Sequence, residues 1–278
     1  MIKVATLNLC NFAQPPFASY EWDNILTAEQ WESKCEWLRA QLKQVSPDII
    51  AFQEVFSIPA LKAVCAQLGY NHFCCPGSPK VEHEYVFSEP CVAVASKYPL
   101  RTIKLSDKIR SQFARYPAIA RITLPNRQKV TVISVHLKSQ RASAAPDRYS
   151  EQQSQLYGQW VSSFQRAQEA TELHKIVKKQ SSKTPTIVMG DFNQSLDSES
   201  LKPMTDSILV ADCRKATGAS EVATFYHRFS PITIDHIMVT HDLEVCDYQC
   251  IDNHLPSNGL TSSDHAIVSA TLDQRCSI

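Results

Sequence analysis

The sequence predicts an α/β (α+β) fold, on three observations. Short apolar runs of strand character alternate with amphipathic stretches of helical period. Glycine is scarce, at six residues, and the 15 prolines are spread through the chain. No repeat, low-complexity tract or linker divides the 278 residues, so a single domain over 1–278 is expected.

Taken in order, Ile2-Lys3-Val4-Ala5-Thr6-Leu7-Asn8 reads as the first strand. Thr27-Ala28-Glu29-Gln30 has the form of a capping box, and Trp31, Cys35, Leu38, Leu42 and Val45 follow on one helix face. Pro47 ends that helix; Asp48 to Phe52 reads as a buried strand closing on Gln53-Glu54. Further strands are predicted at Cys91–Ser96, Ala118–Leu124, Lys129–His136, Thr186–Gly190, Ile232–Val239 and Ala266–Leu272. Ser150 to Gln180 has helical composition, with Leu156, Trp160, Phe164, Leu173 and Val177 as its expected buried stripe.

Lys+Arg and Asp+Glu are both 28, so no net charge draws the chain to nucleic acid or to an anionic membrane. A local phosphate-tracking groove remains open to Lys138, Arg141, Arg148 and Arg166. The neutral balance favours reading them as a solvated loop and helix face. Ten cysteines in a chain long enough for a large core read as buried thiols, not as a disulfide framework or a zinc site. Met1 leads straight into strand-like sequence with no secretory leader. No stretch has the apolar length to cross a bilayer, so a cytoplasmic location is expected. No obligate protein partner is predicted.

The polar residues of most interest fall at strand ends: Asn8, Glu54, His136, Asp191, Asp235 and Asp264. Strand ends meeting at one rim are where α/β folds build sites. In Gly190-Asp191-Phe192-Asn193, a buried strand delivers a glycine turn and two polar side chains at period two. Such a carboxylate and amide can align a water and donate to a phosphoryl oxygen, although Asp and Asn after Gly are also good turn formers. Ile232-Thr233-Ile234-Asp235-His236 sets an acid within a β-branched strand, where an unpaired charge is expensive to bury. His265, in Thr261-Ser262-Ser263-Asp264-His265, would offset that cost as an Asp–His pair. Glu54 also needs a partner, and its hard oxygens suit Mg²⁺. His136 alone is an ordinary core histidine; six such residues at strand ends are not ordinary.

The ordered series TLNL (Thr6–Leu9), QE (Gln53-Glu54), SKYP (Ser96–Pro99), VHLKS (Val135–Ser139), GDFN (Gly190–Asn193), IDHI (Ile234–Ile237) and SDH (Ser263–His265) resembles the endonuclease/exonuclease/phosphatase superfamily. The match runs over nearly the whole chain. Phe113 to Arg121 (FARYPAIAR) resembles the pancreatic-type deoxyribonuclease segment in which an arginine precedes an acid and a proline. Arg115 takes the place of that arginine, and Tyr116 departs from the acid.

The resemblance implies a four-layer sandwich, two packed mixed β-sheets flanked by helices. It implies a metal-dependent phosphoric ester hydrolase, foremost a phosphodiesterase or nuclease cleaving P–O bonds by in-line attack of water. Mg²⁺, with Mn²⁺ as the alternative, would be held by Glu54 and Asp264. Asn8 and Arg115 would contact the substrate phosphate. Asp191 would orient or deprotonate the water or help hold a metal, Asn193 would stabilise the transition-state oxygens, and Asp235 would pair with His265. His136 matches the deoxyribonuclease and sphingomyelinase branches, in which a glutamate orients it; Glu82 and Glu84 are both candidates. Nucleic acid is the favoured substrate partner.

A sphingomyelinase-like enzyme would want an exposed apolar loop, for which Phe12 and Pro15-Pro16-Phe17 are candidates unless Tyr20 and Trp22 pack it down. An inositol-phosphate phosphatase ranks lower, because His236 stands where that branch has an arginine. A non-catalytic binding module of the same fold would usually lose a metal or histidine position, and all are present.

Overall fold

Alternation along the first strand already sorts the layers of the computed structural model, which describes residues 1–82, 84–226, 231–252 and 263–275. β1 (Ile2–Phe12) sends Ile2 and Val4 into one apolar core and Ala5, Leu7 and Leu9 into another. The chain continues through β2 (Ala18–Ser19), α1 (Ala28–Val45), β3 (Ile49–Val55), α2 (Ile58–Gln67), β4 (His72–Cys74), β5 (Lys80–Glu82) and β6 (Val86–Glu89). There follow β7 (Cys91–Ser96), β8 (Leu100–Thr102), α3 (Asp107–Arg110), β9 (Ala118–Thr123), β10 (Lys129–His136), α4 (Glu151–Ser181) and β11 (Thr186–Asp191). The last elements are α5 (Lys202–Thr205), β12 (Val210–Asp212), α6 (Cys213–Thr217), β13 (Asp235–Thr240), β14 (Leu243–Ile251) and β15 (Ile267–Gln274).

Two six-stranded mixed sheets result, in the orders β14-β15-β1-β3-β7-β4 and β12-β13-β11-β10-β9-β8, with a small sheet β2-β6-β5 at the side. Their inner faces share one core that includes Val4, Ile49, Val92, Val132, Ile187, Met189 and Ile237. Above it a buried amide joins the sheets: Thr6 Oγ1 donates to Gln53 Oε1 at 3.2 Å, and Gln53 Nε2 donates to Ser134 Oγ at 3.3 Å. α1 and α2 cover the outer face of the first sheet, and α4 covers that of the second. This is the four-layer sandwich expected from the resemblance.

The Thr27 capping box is formed with Gln30, and Ser150 makes a second one with Gln153 at the start of α4. The strand expected from Ile232 begins only at Asp235. Thr224 Oγ1 accepts the N–H groups of Ile234 and Asp235 and so takes them out of a ladder.

The expected stripe of α4 is half wrong. Leu173 and Val177 are buried against the second sheet, but Leu156, Trp160 and Phe164 are 61%, 63% and 54% exposed. Length explains this. The 31-residue helix spans about 46 Å, against about 26 Å for the eight residues of β10, so its first turns overhang the sheet. Arg166 is not a groove residue either: it is buried and donates to the carbonyls of Lys138 and Ser139 at 2.7 and 3.2 Å.

The segment from Phe12 to Tyr20 is packed down. Phe12 is fully buried, the Phe17 and Phe87 rings lie 4.7 Å apart, and Tyr20 meets Phe56 edge-on at 5.3 Å. Nine cysteines are free thiols, and Cys276 lies outside the described residues. No helix among the described residues is long and apolar enough to cross a membrane.

Candidate active site

Four inward-facing stripes turn polar at the same rim of the sandwich. On β11, Ile187 and Met189 lead to Asp191; on β10, Val130 and Val132 lead past Ser134 to His136. On β13, Val239 and Ile237 lead back to Asp235, and on β1, Val4 and Thr6 lead to Asn8. Register fixes the row, since His136 pairs with Asp191 and Asp191 with Asp235 across adjacent strands. Strands lie about 4.8 Å apart, so the three side chains are neighbours by construction.

Asp191 is the hub. Its Oδ1 accepts from the Asn193 N–H at 2.7 Å, its Oδ2 accepts from Asn8 Nδ2 at 3.1 Å, and His136 Nε2 lies 3.3 Å from that same oxygen. Burial, and then the neighbouring Asp235 charge, push the Asp191 carboxyl up to about 7. Asp235 Oδ2 accepts from Thr224 Oγ1 at 2.8 Å and meets His265 Nδ1 at 2.8 Å. Burial opposes charge on His265, but the charge and hydrogen bond of Asp235 outweigh it and raise the imidazole to about 10. His136 behaves oppositely. Burial, then Arg115 and His265, hold it well below the ordinary histidine value, so it stays neutral.

Glu54 reaches the rim by a backbone device. Alternation would send it under the helices with Ile50 and Phe52, but the register shifts between Phe52 and Val55 and Glu54 itself is left-handed, at φ 58°. Its Oε2 accepts the Asn11 N–H at 2.9 Å, with Cys10 and Asn11 also left-handed at 48° and 62°. Glu54 and Asp264 both raise the Cys10 thiol, whose burial is the larger cause. The buried Lys34 donates to the Cys10 carbonyl at 3.0 Å and feels both carboxylates.

Among the described residues one group of three gathers ligand atoms for a metal, and one pair of carboxylates offers suitable donors. Asp191, Asp235 and His265 place one ligand atom each within 4.8 Å of the others, yet Asp235 and His265 are already bonded to each other. Glu54 and Asp264 offer carboxylate oxygens, the donors a hard divalent cation takes. Asn11, which anchors Glu54, has its own Oδ1 buried with no hydrogen-bond partner among the described residues. The donor set at Glu54 therefore fits Mg²⁺ or Mn²⁺.

Arg115 and Asn193 share a support, since Arg115 Nη1 and Asn193 Nδ2 both donate to the Leu137 carbonyl, at 3.1 and 3.0 Å. Neither Glu82 nor Glu84 orients His136: Glu82 pairs with Lys80 at 3.0 Å, Glu84 is exposed, and His136 Nδ1 is buried without a partner among the described residues.

Three supporting roles escaped the sequence reading. Thr224 holds Asp235. Ser263 Oγ donates to the Asn8 carbonyl at 2.6 Å and accepts the His265 N–H at 3.0 Å, joining β1 to the histidine. Buried Glu169 accepts the N–H groups of Ala114 and Lys138 at 2.8 and 2.6 Å, clamping the two loops that flank Arg115. An acid four residues before the buried Leu173, on the inward face of α4, was the available signal.

A family model described as "Endonuclease/Exonuclease/phosphatase family" matches residues 35–265. No curated protein matches the sequence. Among solved structures, an AP endonuclease from Archaeoglobus fulgidus is 18% identical with a TM-score of 0.65, over 98% of this chain and 100% of that one. The 3′ phosphatase NExo from Neisseria, bound to a product DNA hairpin, is 15% identical with a TM-score of 0.66, over 98% and 100%. The human Nocturnin catalytic domain is 20% identical with a TM-score of 0.63, over 99% and 94%. At such identities the likeness is one of fold.

Proposed function

Because the chain belongs to the endonuclease/exonuclease/phosphatase family, hydrolases of phosphoester bonds, we propose that it is a Mg²⁺-dependent phosphodiesterase of nucleic acid. The observation that carries this reading is the row His136–Asp191–Asp235 with His265 bonded to its end. It sets a carboxyl that titrates near neutrality beside an imidazole that holds its proton, the two states acid–base hydrolysis needs.

In this reading Asp191, held by Asn8 and the Asn193 N–H, takes the proton of the attacking water. His265, kept protonated by Asp235, directs Nε2–H toward the phosphate and leaving oxygen; the same nitrogen lies 3.9 Å from Asp264. Neutral His136 donates Nε2–H to Asp191 and fixes its angle. Arg115 and Asn193, both braced on Leu137, contact the non-bridging oxygens. Glu54 and Asp264 would hold the cation, which supplies charge neutralisation at the phosphoryl group when bound. The DNA-bound state of NExo, with Arg115 and Lys138 at this rim, supports nucleic acid as substrate.

The test is hydrolysis of bis-p-nitrophenyl phosphate and of single-stranded DNA, with Mg²⁺ and with EDTA. Chelation is expected to abolish both activities. His265→Ala and Asp191→Ala should each lose on the order of 10²–10⁴-fold in kcat with circular dichroism unchanged. Full activity in EDTA, or near-normal turnover by folded His265→Ala, would overturn the reading.

A further inference from the structure

The overhanging half of α4 carries an apolar face that its own chain does not bury. Leu156, Trp160 and Phe164 recur every four residues and are each more than half exposed. Trp160 and Phe164 stack with centroids 5.9 Å apart and planes 13° apart, and Tyr157 lies 6.3 Å from Trp160. The helix beneath is pinned, not loose. The Ser143 N–H donates to the Gly158 carbonyl at 3.0 Å, Ser162 Oγ donates to the Arg141 carbonyl at 2.7 Å, and a Cβ on Gly158 would lie 2.2 Å from the Ser143 oxygen. A rigid apolar patch on the order of 400 Å² is the kind that marks an interaction surface.

Charge selects the occupant. Residues 152–165 (QQSQLYGQWVSSFQ) contain no charged side chain; Arg148, over the Tyr149 ring at 5.2 Å, stands at one end of the aromatic run and not along it. A nucleic-acid strand would need Arg and Lys along its path, and a helix lying in a lipid surface would carry them on its polar face. A two-fold axis sets the same patch on both sides, residue i of one copy meeting residue j of the other and j meeting i, so a patch of one charge sign would repel itself and an uncharged one does not. The flanking Gln152, Gln155 and Gln159 carry amides that both donate and accept, and so can pair with polar groups of either kind on the second copy.

We propose that α4 packs against α4 of a second copy of this chain through Leu156, Trp160 and Phe164, forming a two-fold homodimer. The apolar side chains of both copies supply roughly 800 Å², and the glutamine flanks bring the total to the lower end of specific interfaces. An interface of that size belongs with reversible, concentration-dependent association. The inference is independent of the substrate and of the catalytic roles given above.

Sedimentation velocity from about 1 to about 200 μM tests it. The wild type should pass from the 31.2 kDa monomer to twice that mass within this range. Trp160→Glu/Phe164→Glu should remain monomeric throughout with the same helicity; should that variant misfold, Trp160→Gln is the replacement, with dimerisation at least tenfold weaker. A wild type that stays monomeric at the highest concentration overturns the proposal, as does a folded variant that still dimerises. For the variants this means folded Trp160→Glu/Phe164→Glu that dimerises, or folded Trp160→Gln that dimerises as tightly as the wild type; a monomeric wild type that floats with phosphatidylcholine vesicles overturns it too and would assign the patch to lipid.

Discussion

Asp191 and His265 bind protons more tightly in the fold than as free side chains, and both push stability in the same direction. Asp191 rises from 3.8 to about 7, so the native state holds a proton that the unfolded chain has lost, and stability falls as pH rises through that window. His265 rises from 6.5 to about 10; its contribution is complete below 6.5 and is lost as pH climbs through 10. Below pH 6.5 the depressed imidazoles of His136 and His236 oppose Asp191, so the metal-free protein should melt several degrees lower at pH 9 than at pH 7, by calorimetry in EDTA. Asp191→Asn should remove the opposing carboxyl and leave a melting temperature that rises with pH below 6.5. A pH-independent wild-type melting temperature would contradict the assignment.

At the scale of elements, Glu169 shows how a helix serves a site it does not enter. Glutamine at that position keeps one acceptor and turns an amide N–H₂ toward a second backbone donor. Glu169→Gln should cost about 1–3 kcal/mol in urea unfolding. It should also raise KM about tenfold, with a smaller change in kcat, because the clamp flanks Arg115 and not the Asp191–His265 row. A rise confined to kcat would show that the clamp acts elsewhere. Elements were legible where period and burial agree, as in α1 with its Thr27 box and in β7 and β10, whose bounds match the sequence reading. The extent of α4 was legible too, but not the exposure of its first turns. An apolar stripe at helical spacing says that something should cover it, not that the same chain does.

Across the whole molecule, period-two alternation made much of the site's placement readable, since Asn8, His136, Asp191 and Asp235 continue stripes that are apolar below. Glu54 breaks that parity and depends on a left-handed residue, which no pattern announces. Thr224 and Ser263 were hidden because they act through bonds formed only once distant strands meet. Gly190 is the most crowded of the described glycines: at φ 148°, its Cβ position lies 2.0 Å from the Val135 oxygen. Gly190→Ala should force β10 and β11 apart, costing about 3 kcal/mol or more and separating His136 from Asp191. A well-folded, active Gly190→Ala protein would show that the parallel pair tolerates the shift.

The first strand and the last described strand, β1 and β15, are hydrogen-bonded neighbours, and Asp264 and His265 stand immediately before β15. Translation delivers the chain from its N-terminus at about 5–20 residues per second. Glu54 and Asp191 therefore leave the ribosome well before the histidine that completes the row, and β1 waits with one edge bare until β15 arrives. The order of synthesis thus withholds the Asp264–His265 end of the candidate site until the other strands of both sheets have emerged.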